Sequence, residues 1–449
     1  MSQRRTLLLA GALLLGLGVV AWQKAWISPV RLIQAPPEPR GDTVLFVVLD
    51  TVRADHSSVC GYERPTTPTL ERLAQEEGWS TACRAFAPGS WTLPSHASYF
   101  TGLEVPEHGA HSLAAGGEDL GQNTSEQVRP LGPEPETLAE HFAGLGFDTV
   151  SVSGNPVVSP ASGLTRGFAE VRAPGQFGSW YGADFRRQLQ HALEVGSSRD
   201  KPLFLFLNIA DAHVPWAPVP DGLDWVPARP GLDWGQGTLW ADFLGGRMGS
   251  DERSALLAHL GDVCDYGVSR ADQTLAESLL LLEDWNRLGV GSRVVITSDH
   301  GEYLGEDGLI DHGHYLGEPN NQVFLMSNQG GPLPEPISAL AAYGLVRDGA
   351  LAQPLPKVRA AAFPHAQRSE WTEGRWFTRT SAAEWRADQK VLWSDADGWA
   401  MGPVGELSAA ALDPDLAVFV RAVRVSGVPR GDVDPDLLNA LRAAGYMDD

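Results

Sequence analysis

Two short apolar runs in this chain stop at a carboxylate, and that pattern restricts the fold more than any other feature. The run Thr43–Leu49 leads into Asp50, and Arg293–Thr297 leads through one serine to Asp299-His300. A run with almost no polar position suits a strand buried on both faces, as in a parallel sheet covered by helices. A carboxylate at its carboxyl end then stands where open α/β sheets carry their ligands. Leu203–Ile209 is a third such run, with Asp211-Ala212-His213 directly behind it.

The spacing between these runs supports the same class. Helical patterns are read at 68–78, with Leu70, Leu73 and Ala74 inward, at 135–144, and over about 252–288; a further strand is read at Asp148–Ser153. Alternation of this kind predicts an α/β sheet with helices on both faces. Beyond about 330 the texture changes, because Pro332, Pro334, Pro336, Pro354 and Pro356 interrupt the chain. Short strand candidates at 376–380, 390–393 and 399–401, with a closing helix near 434–444, read as a small C-terminal α+β unit. The expected division is 1–27, 28–41, 42–330 and 331–449.

The first segment differs in kind from the rest. Arg4-Arg5 precede an apolar run over 6–22, Lys24 follows, and a proline-rich stretch lies at 35–39. The pattern predicts a signal anchor or signal peptide over 1–27 and a linker over 28–41. Arg4-Arg5-Thr6-Leu7-Leu8 also has some likeness to a twin-arginine export signal. An uncleaved anchor with basic residues inside would hold the body outside the cytoplasm at the cell envelope. Cleavage would make the body periplasmic or secreted. The formal net charge of −22 argues against a nucleic-acid partner. Three cysteines, Cys60, Cys83 and Cys264, are too few for a disulfide framework, although Cys60 and Cys83 can pair in an oxidising compartment.

The residues that carry chemistry gather around the strand ends. Asp50, Asp299 and His300 make an oxygen-rich set with one imidazole, suited to a divalent cation such as Ca, Mg, Mn or Zn. Thr92 lies at or beside a helix N-cap, with Pro94 inside the first turn. Free amides there can hold an anionic ester oxygen, and metal coordination makes a threonine hydroxyl a usable nucleophile. His213 is a candidate to protonate a leaving group or bind an ester oxygen. His312 and His314 are close enough in sequence to Asp299-His300 to reach the same pocket. Asp211, His213 and His312 offer an alternative use, as ligands of a second metal.

Three motifs carry a family resemblance. Leu49-Asp50-Thr51-Val52-Arg53-Ala54-Asp55, Thr92-Leu93-Pro94-Ser95-His96-Ala97-Ser98-Tyr99-Phe100-Thr101-Gly102 and Thr297-Ser298-Asp299-His300-Gly301-Glu302 resemble those of sulfatases in the alkaline phosphatase superfamily. The likeness spans roughly 42–326, and Leu441-Arg442-Ala443-Ala444-Gly445-Tyr446 resembles the tail of many bacterial members. It implies a large mixed sheet sandwiched by helices, a small C-terminal sheet domain, and an anionic ester substrate. It also implies one metal held by Asp50, Asp299 and His300, a nucleophile at Thr92, and an active-site role for His213. His312 falls near a position where many sulfatases place a lysine.

The departures redirect the chemistry. Thr92 stands where sulfatases carry the Cys or Ser that becomes formylglycine, and His96 replaces the motif arginine, which makes His96 a further catalytic candidate. A threonine cannot yield formylglycine, so direct attack is expected, as in phosphoryl-transferring members of the superfamily. Thr51 replaces a second aspartate, and Gly317-Glu318-Pro319-Asn320-Asn321-Gln322-Val323 replaces the family's Arg-Val-Pro stretch. The expected function is hydrolysis of a sulfate or phosphate ester. The alternatives are phosphoryl transfer to an envelope lipid or glycan, and a non-catalytic binding protein.

Overall fold

The structure, a computed structural model, describes residues 43–113, 127–220, 242–313, 315–363, 381–386, 389–394, 398–403 and 414–426. The expected N-terminal anchor, the strand at 376–380, the helix at 434–444 and His314 all lie outside them. Among the described residues, no helix is long and apolar enough to cross a membrane.

Eight strands build the large sheet: β1 (Thr43–Leu49), β2 (Ser80–Phe86), β3 (Asp148–Ser153), β4 (Glu170–Arg172), β5 (Leu203–Ile209), β6 (Arg293–Thr297), β7 (Gln322–Ser327) and β8 (Ile337–Ser338). Their order across the sheet is β8-β2-β7-β6-β1-β5-β3-β4. The five strands from β6 to β4 are parallel, whereas β7 runs antiparallel to both β6 and β2. The sheet is therefore mixed.

The apolar runs explain its layers. Leu45, Val47, Leu49, Leu203, Leu205 and Leu207 point to one face, against α1 (Pro68–Ala74), α4 (Ala183–Gly196) and α5 (Ser250–Asp284). Val44, Phe46, Val48, Phe204 and Phe206 point to the other, against α2 (Thr92–Thr101), α3 (Leu138–Gly144) and α6 (Ala342–Asp348). Alternate side chains thus feed two separate cores, with about 1.5–3 kcal/mol per buried large side chain holding each layer to the sheet. The helix expected from residue 135 begins at Leu138. Thr137 caps it, accepting from the Glu140 amide at 3.1 Å while Glu140 takes the Thr137 amide at 2.9 Å.

The smaller sheet is an antiparallel meander of β9 (Arg359–Ala362), β10 (Ser381–Trp385), β11 (Gln389–Ser394) and β12 (Gly398–Pro403). Helix α7 (Pro414–Ser426) closes a core of Leu416, Phe419, Val420 and Val423 against Ala361, Ala382 and Val391. Past residue 330 the chain also contributes β8 to the large sheet. Cys60 and Cys83 form a disulfide that ties the segment after β1 to β2, and Cys264 is a buried free thiol.

Candidate active site

Four neighbouring strands end at one edge of the sheet, and each delivers a polar side chain there. The register sets Val48 opposite both Thr297 and Asn208, and Asn208 opposite Ser153. Continuing each strand brings Asp50 from β1, Asp299 and His300 from β6, and Asn155 from β3 to the same level as Asn208 on β5. Ligand atoms of Asp50, Asp299 and His300 lie within 4.8 Å of one another, and all three residues are buried.

The turns that present them are tight. Thr51 adopts φ 62°, a conformation a β-branched residue resists. Two hydrogen bonds hold it there: its amide donates to Asp299 Oδ1 at 3.2 Å and its hydroxyl to Asp50 Oδ1 at 3.0 Å. Gly301 is needed after His300, because a Cβ there would lie 2.3 Å from the Pro319 carbonyl oxygen.

Thr92 approaches from the opposite side. Trp91 is the N-cap of α2, so Thr92 is its first residue and Pro94 sits within the first turn. Thr92 Oγ1 accepts from Asn155 Nδ2 at 3.0 Å and lies 3.4 Å from His300 Nε2. The segment before it is strapped down by two asparagines. Asn320 Nδ2 donates to the Ser90 carbonyl at 3.1 Å, and Asn321 Nδ2 donates to those of Ala87 and Gly89 at 3.2 and 3.0 Å. The stretch that lacks the family's Arg-Val-Pro thus locks the approach to Thr92.

His300 and His96 each have their tautomer set by a carbonyl. His300 donates from Nδ1 to the Gly301 carbonyl at 2.9 Å, which leaves the Nε2 lone pair facing the same space as Asp50 Oδ1, 3.8 Å away, and Asp299 Oδ2, 3.4 Å away. His96, one turn along α2, donates from Nδ1 to the Thr92 carbonyl at 2.9 Å and accepts at Nε2 from Asn208 at 3.2 Å. It is buried among Phe100 and Phe206, so its place is beneath Thr92. Burial pushes both imidazoles down to about 4, and they are neutral near pH 7.

The two aspartates divide. Burial and the Asp50 charge raise the Asp299 carboxyl well above its ordinary value. Burial also acts to raise Asp50, but His213, His300, His96 and the Asn155 hydrogen bond together bring it below. Asp299 Oδ1 takes the Thr51 and His300 amides, whereas its Oδ2 has no hydrogen-bond partner among the described residues. Two carboxylates, one with an orphan oxygen, and an imidazole lone pair fit a divalent cation.

His213 and His312 also reach this cluster. Their ring centroids are 5.0 Å apart, and the His312 ring is 4.4 Å from that of His300. His213 stacks on Phe177 and donates from Nδ1 to the Val214 carbonyl. Asp211 does not join them. Its Oδ1 takes the Thr274 hydroxyl at 3.1 Å and the Gly182 amide at 3.3 Å, which ties it to α5 and the start of α4. Burial raises its carboxyl to about 6. The carboxylates beside His312 are instead Glu302 and Asp311.

Asn155 and Asn208 are residues of the candidate site that sequence reasoning missed. Asn155 donates to Asp50 Oδ2 at 2.8 Å as well as to Thr92, and Asn208 donates to the same oxygen at 2.9 Å. A signal existed for Asn208, since it is the single polar residue of Leu203–Ile209.

The large mixed sheet with helices on both faces has the alkaline phosphatase-like fold of sulfatases. The sequence model of the sulfatase family matches residues 42–326, and the chain belongs to that family. No curated protein matches it. Among solved structures, a phosphonate monoester hydrolase of Agrobacterium radiobacter shares 14% identity over 87% of this chain and 96% of that one, with a TM-score of 0.56. A 2-O GAG sulfatase shares 14% identity over 90% and 96%, with a TM-score of 0.52. A third structure, solved with its substrate D-glucosamine-2-N,6-O-disulfate, shares 16% identity over 82% and 92%, at 0.53. At these identities the likeness is one of fold.

Proposed function

We propose that the chain is a metal-dependent hydrolase of sulfate or phosphate esters that uses Thr92 as its nucleophile. The observation that carries this reading is the position of Thr92 Oγ1, hydrogen-bonded to Asn155 and 3.4 Å from His300 Nε2 at the edge of the Asp50–Asp299–His300 set. When bound by Asp50, Asp299 and His300, a divalent cation supplies positive charge for the ester oxygens and lowers the hydroxyl pKa. Asn155 orients Thr92 Oγ1 through one amide hydrogen and fixes Asp50 through the other. Thr92 Oγ1 releases its proton to solvent and bonds to the sulfur or phosphorus as the bond to the substrate alcohol breaks. His213 gives that alcohol oxygen a proton and regains one from the water that follows. Water then cleaves the threonine ester, releases the inorganic anion and restores the hydroxyl. The solved relatives that act on a phosphonate monoester or hold a sulfated sugar support the substrate class, and leave its central atom open. The Cys60–Cys83 disulfide supports an oxidising, extracytoplasmic setting for the body.

The test is turnover of aryl sulfate, aryl phosphate and aryl phosphonate monoester by the full chain with Mn²⁺ or Zn²⁺. Metal-dependent turnover of one class is expected, reduced roughly 10⁴-fold in Thr92→Ala. Turnover undiminished in Thr92→Ala would refute the nucleophile. Bound metal with no turnover of any ester would instead favour group transfer to a second substrate.

A further inference from the structure

The small sheet is fastened to the segment that leads into Thr92. Its edge strand β9 continues its pairing onto that segment: the Ala361 amide donates to the Pro88 carbonyl at 3.0 Å, and Ala361 stands opposite Gly89. Gly89 in turn packs against the first turn of α2, where a Cβ would stand 2.7 Å from Pro94 Cγ and 3.0 Å from the Ser95 amide nitrogen. One glycine thus separates the small sheet from the turn that carries Thr92.

A second fastening acts on the same segment. Trp385 on β10 is buried and stacks on Phe86, the last residue of β2, with ring centroids 4.7 Å apart. Its indole Nε1 donates to Glu318 Oε1 at 2.9 Å. Lys390, directly opposite Trp385 on β11, sets its buried ammonium 3.6 Å from Glu318 Oε2. Glu318 opens the short helix Glu318–Asn321, whose Asn320 and Asn321 side chains hold the carbonyls of Ser90, Ala87 and Gly89. The Asn321 carbonyl also takes the Ala87 amide at 2.8 Å. Trp385 therefore reaches residues 86–90 by two routes, ring against ring at Phe86 and through Glu318 to the two asparagines. The first fixes a ring plane, and the second is a directional bond to a charged acceptor.

We propose that Trp385 is a positioning residue for Thr92: it makes the small sheet a brace for residues 86–91 and so fixes where the first turn of α2 presents its hydroxyl. Thr92 Oγ1 lies 3.4 Å from His300 Nε2, and the short path from Phe86 to Thr92 sets that distance. A misplacement of about 1 Å at a reacting atom costs roughly 10²-fold in rate. The effect on turnover rests on the function proposed above; the bracing of residues 86–91 does not.

Amide hydrogen exchange of the full chain reads the brace without any substrate. Trp385→Leu is expected to speed exchange about tenfold in peptides spanning residues 86–93 and not in those of α4. Leu193→Ala, a core truncation on α4 across the large sheet, is expected to lower the melting temperature without that local change. In turnover, Trp385→Leu is expected to lower kcat roughly 10–100-fold with KM and retained metal unchanged. Trp385→Phe, which keeps the stack and loses only the donor, should fall between it and the unaltered chain. Melting curves report folding, and if Trp385→Leu does not fold, Trp385→Phe and Glu318→Ala carry the same readings. Exchange over 86–93 that is unchanged in the folded variant, or raised equally by Leu193→Ala, overturns the brace. Faster local exchange with kcat unchanged overturns the positioning of Thr92. No ester turnover in the unaltered chain refutes the proposed function, and exchange alone then decides the brace.

Discussion

Asp265 and Asp299 are both buried carboxylates, but their surroundings differ in what they leave undone. Asp265, on α5, takes the Tyr62 hydroxyl at 2.7 Å and the Arg64 guanidinium at 2.5 Å on one oxygen, and His56 Nδ1 at 2.7 Å on the other. Every oxygen is matched, and the cluster pins the segment after β1 to the long helix. Asp299 has one oxygen matched by two amides and the other by none, with the Asp50 carboxylate close enough to raise its pKa. The difference teaches how to read a buried acid. A closed network has spent its hydrogen-bonding capacity on the fold, whereas an open one keeps capacity for something the chain does not itself provide.

The comparison can be broken at several points. Of the substitutions around these carboxylates, the largest effect is expected from Asn155→Ala, which removes a donor shared by Asp50 and Thr92. Turnover should fall roughly 10²–10³-fold, with the change in kcat rather than KM, because the donor organises the hydroxyl proposed to attack and the carboxylate beside it. A change confined to KM would mean that Asn155 serves substrate binding instead.

Next in size is a contrast in stability, measured by urea unfolding of metal-free protein. Asp265→Ala should lose about 3 kcal/mol, since it strands His56, Tyr62 and the half-exposed Arg64. Asp299→Asn should be neutral or stabilising, because it relieves repulsion with Asp50, while it abolishes metal binding at that set. Equal destabilisation by both substitutions would remove the distinction between closed and open clusters.

The smallest expected effect is on pH dependence. Burial holds His96 and His300 near 4 and His108 and His111 near 3, below the unfolded value of about 6.5. As pH falls below about 6.5 the unfolded chain takes up protons that the native one refuses, so stability is lost from there down to the native values. Asp299 acts in the opposite sense: its raised carboxyl contributes stability at low pH that is lost as pH rises past its unfolded value. The melting temperature of metal-free protein should therefore fall between pH 7 and pH 5, more steeply in Asp299→Asn. A flat profile would show these imidazoles to be less buried than described.

Much of the fold was legible because burial on both sides of a strand leaves a plain mark. Thr43–Leu49 and Leu203–Ile209 read as inner strands and proved to be adjacent ones. The antiparallel course of β7 was not legible, since Gln322–Ser327 has the same apolar texture as a parallel strand. Trp91 is the N-cap of α2 although its side chain makes no capping hydrogen bond, so only the coordinates fix where that helix starts. Among the site residues, Asp50, Asp299, His300 and Thr92 stood out because their motifs are local. Asn320 and Asn321 did not, because their meaning lies in contacts with residues more than two hundred positions away.

By itself the sequence determined which side chains would stand at strand ends, since a run of apolar residues must stop where the sheet meets polar surroundings. It determined that Thr92 would supply a hydroxyl and never an aldehyde. Only the tertiary structure decided that Asn155 and Asn208 would both hold Asp50 Oδ2. It alone gave His312 the company of Glu302 and Asp311 and turned Asp211 away. The physical reason is that hydrogen bonds and charge pairs act over a few ångströms of space, and the register of β6, β1, β5 and β3 sets those distances among residues far apart in the chain.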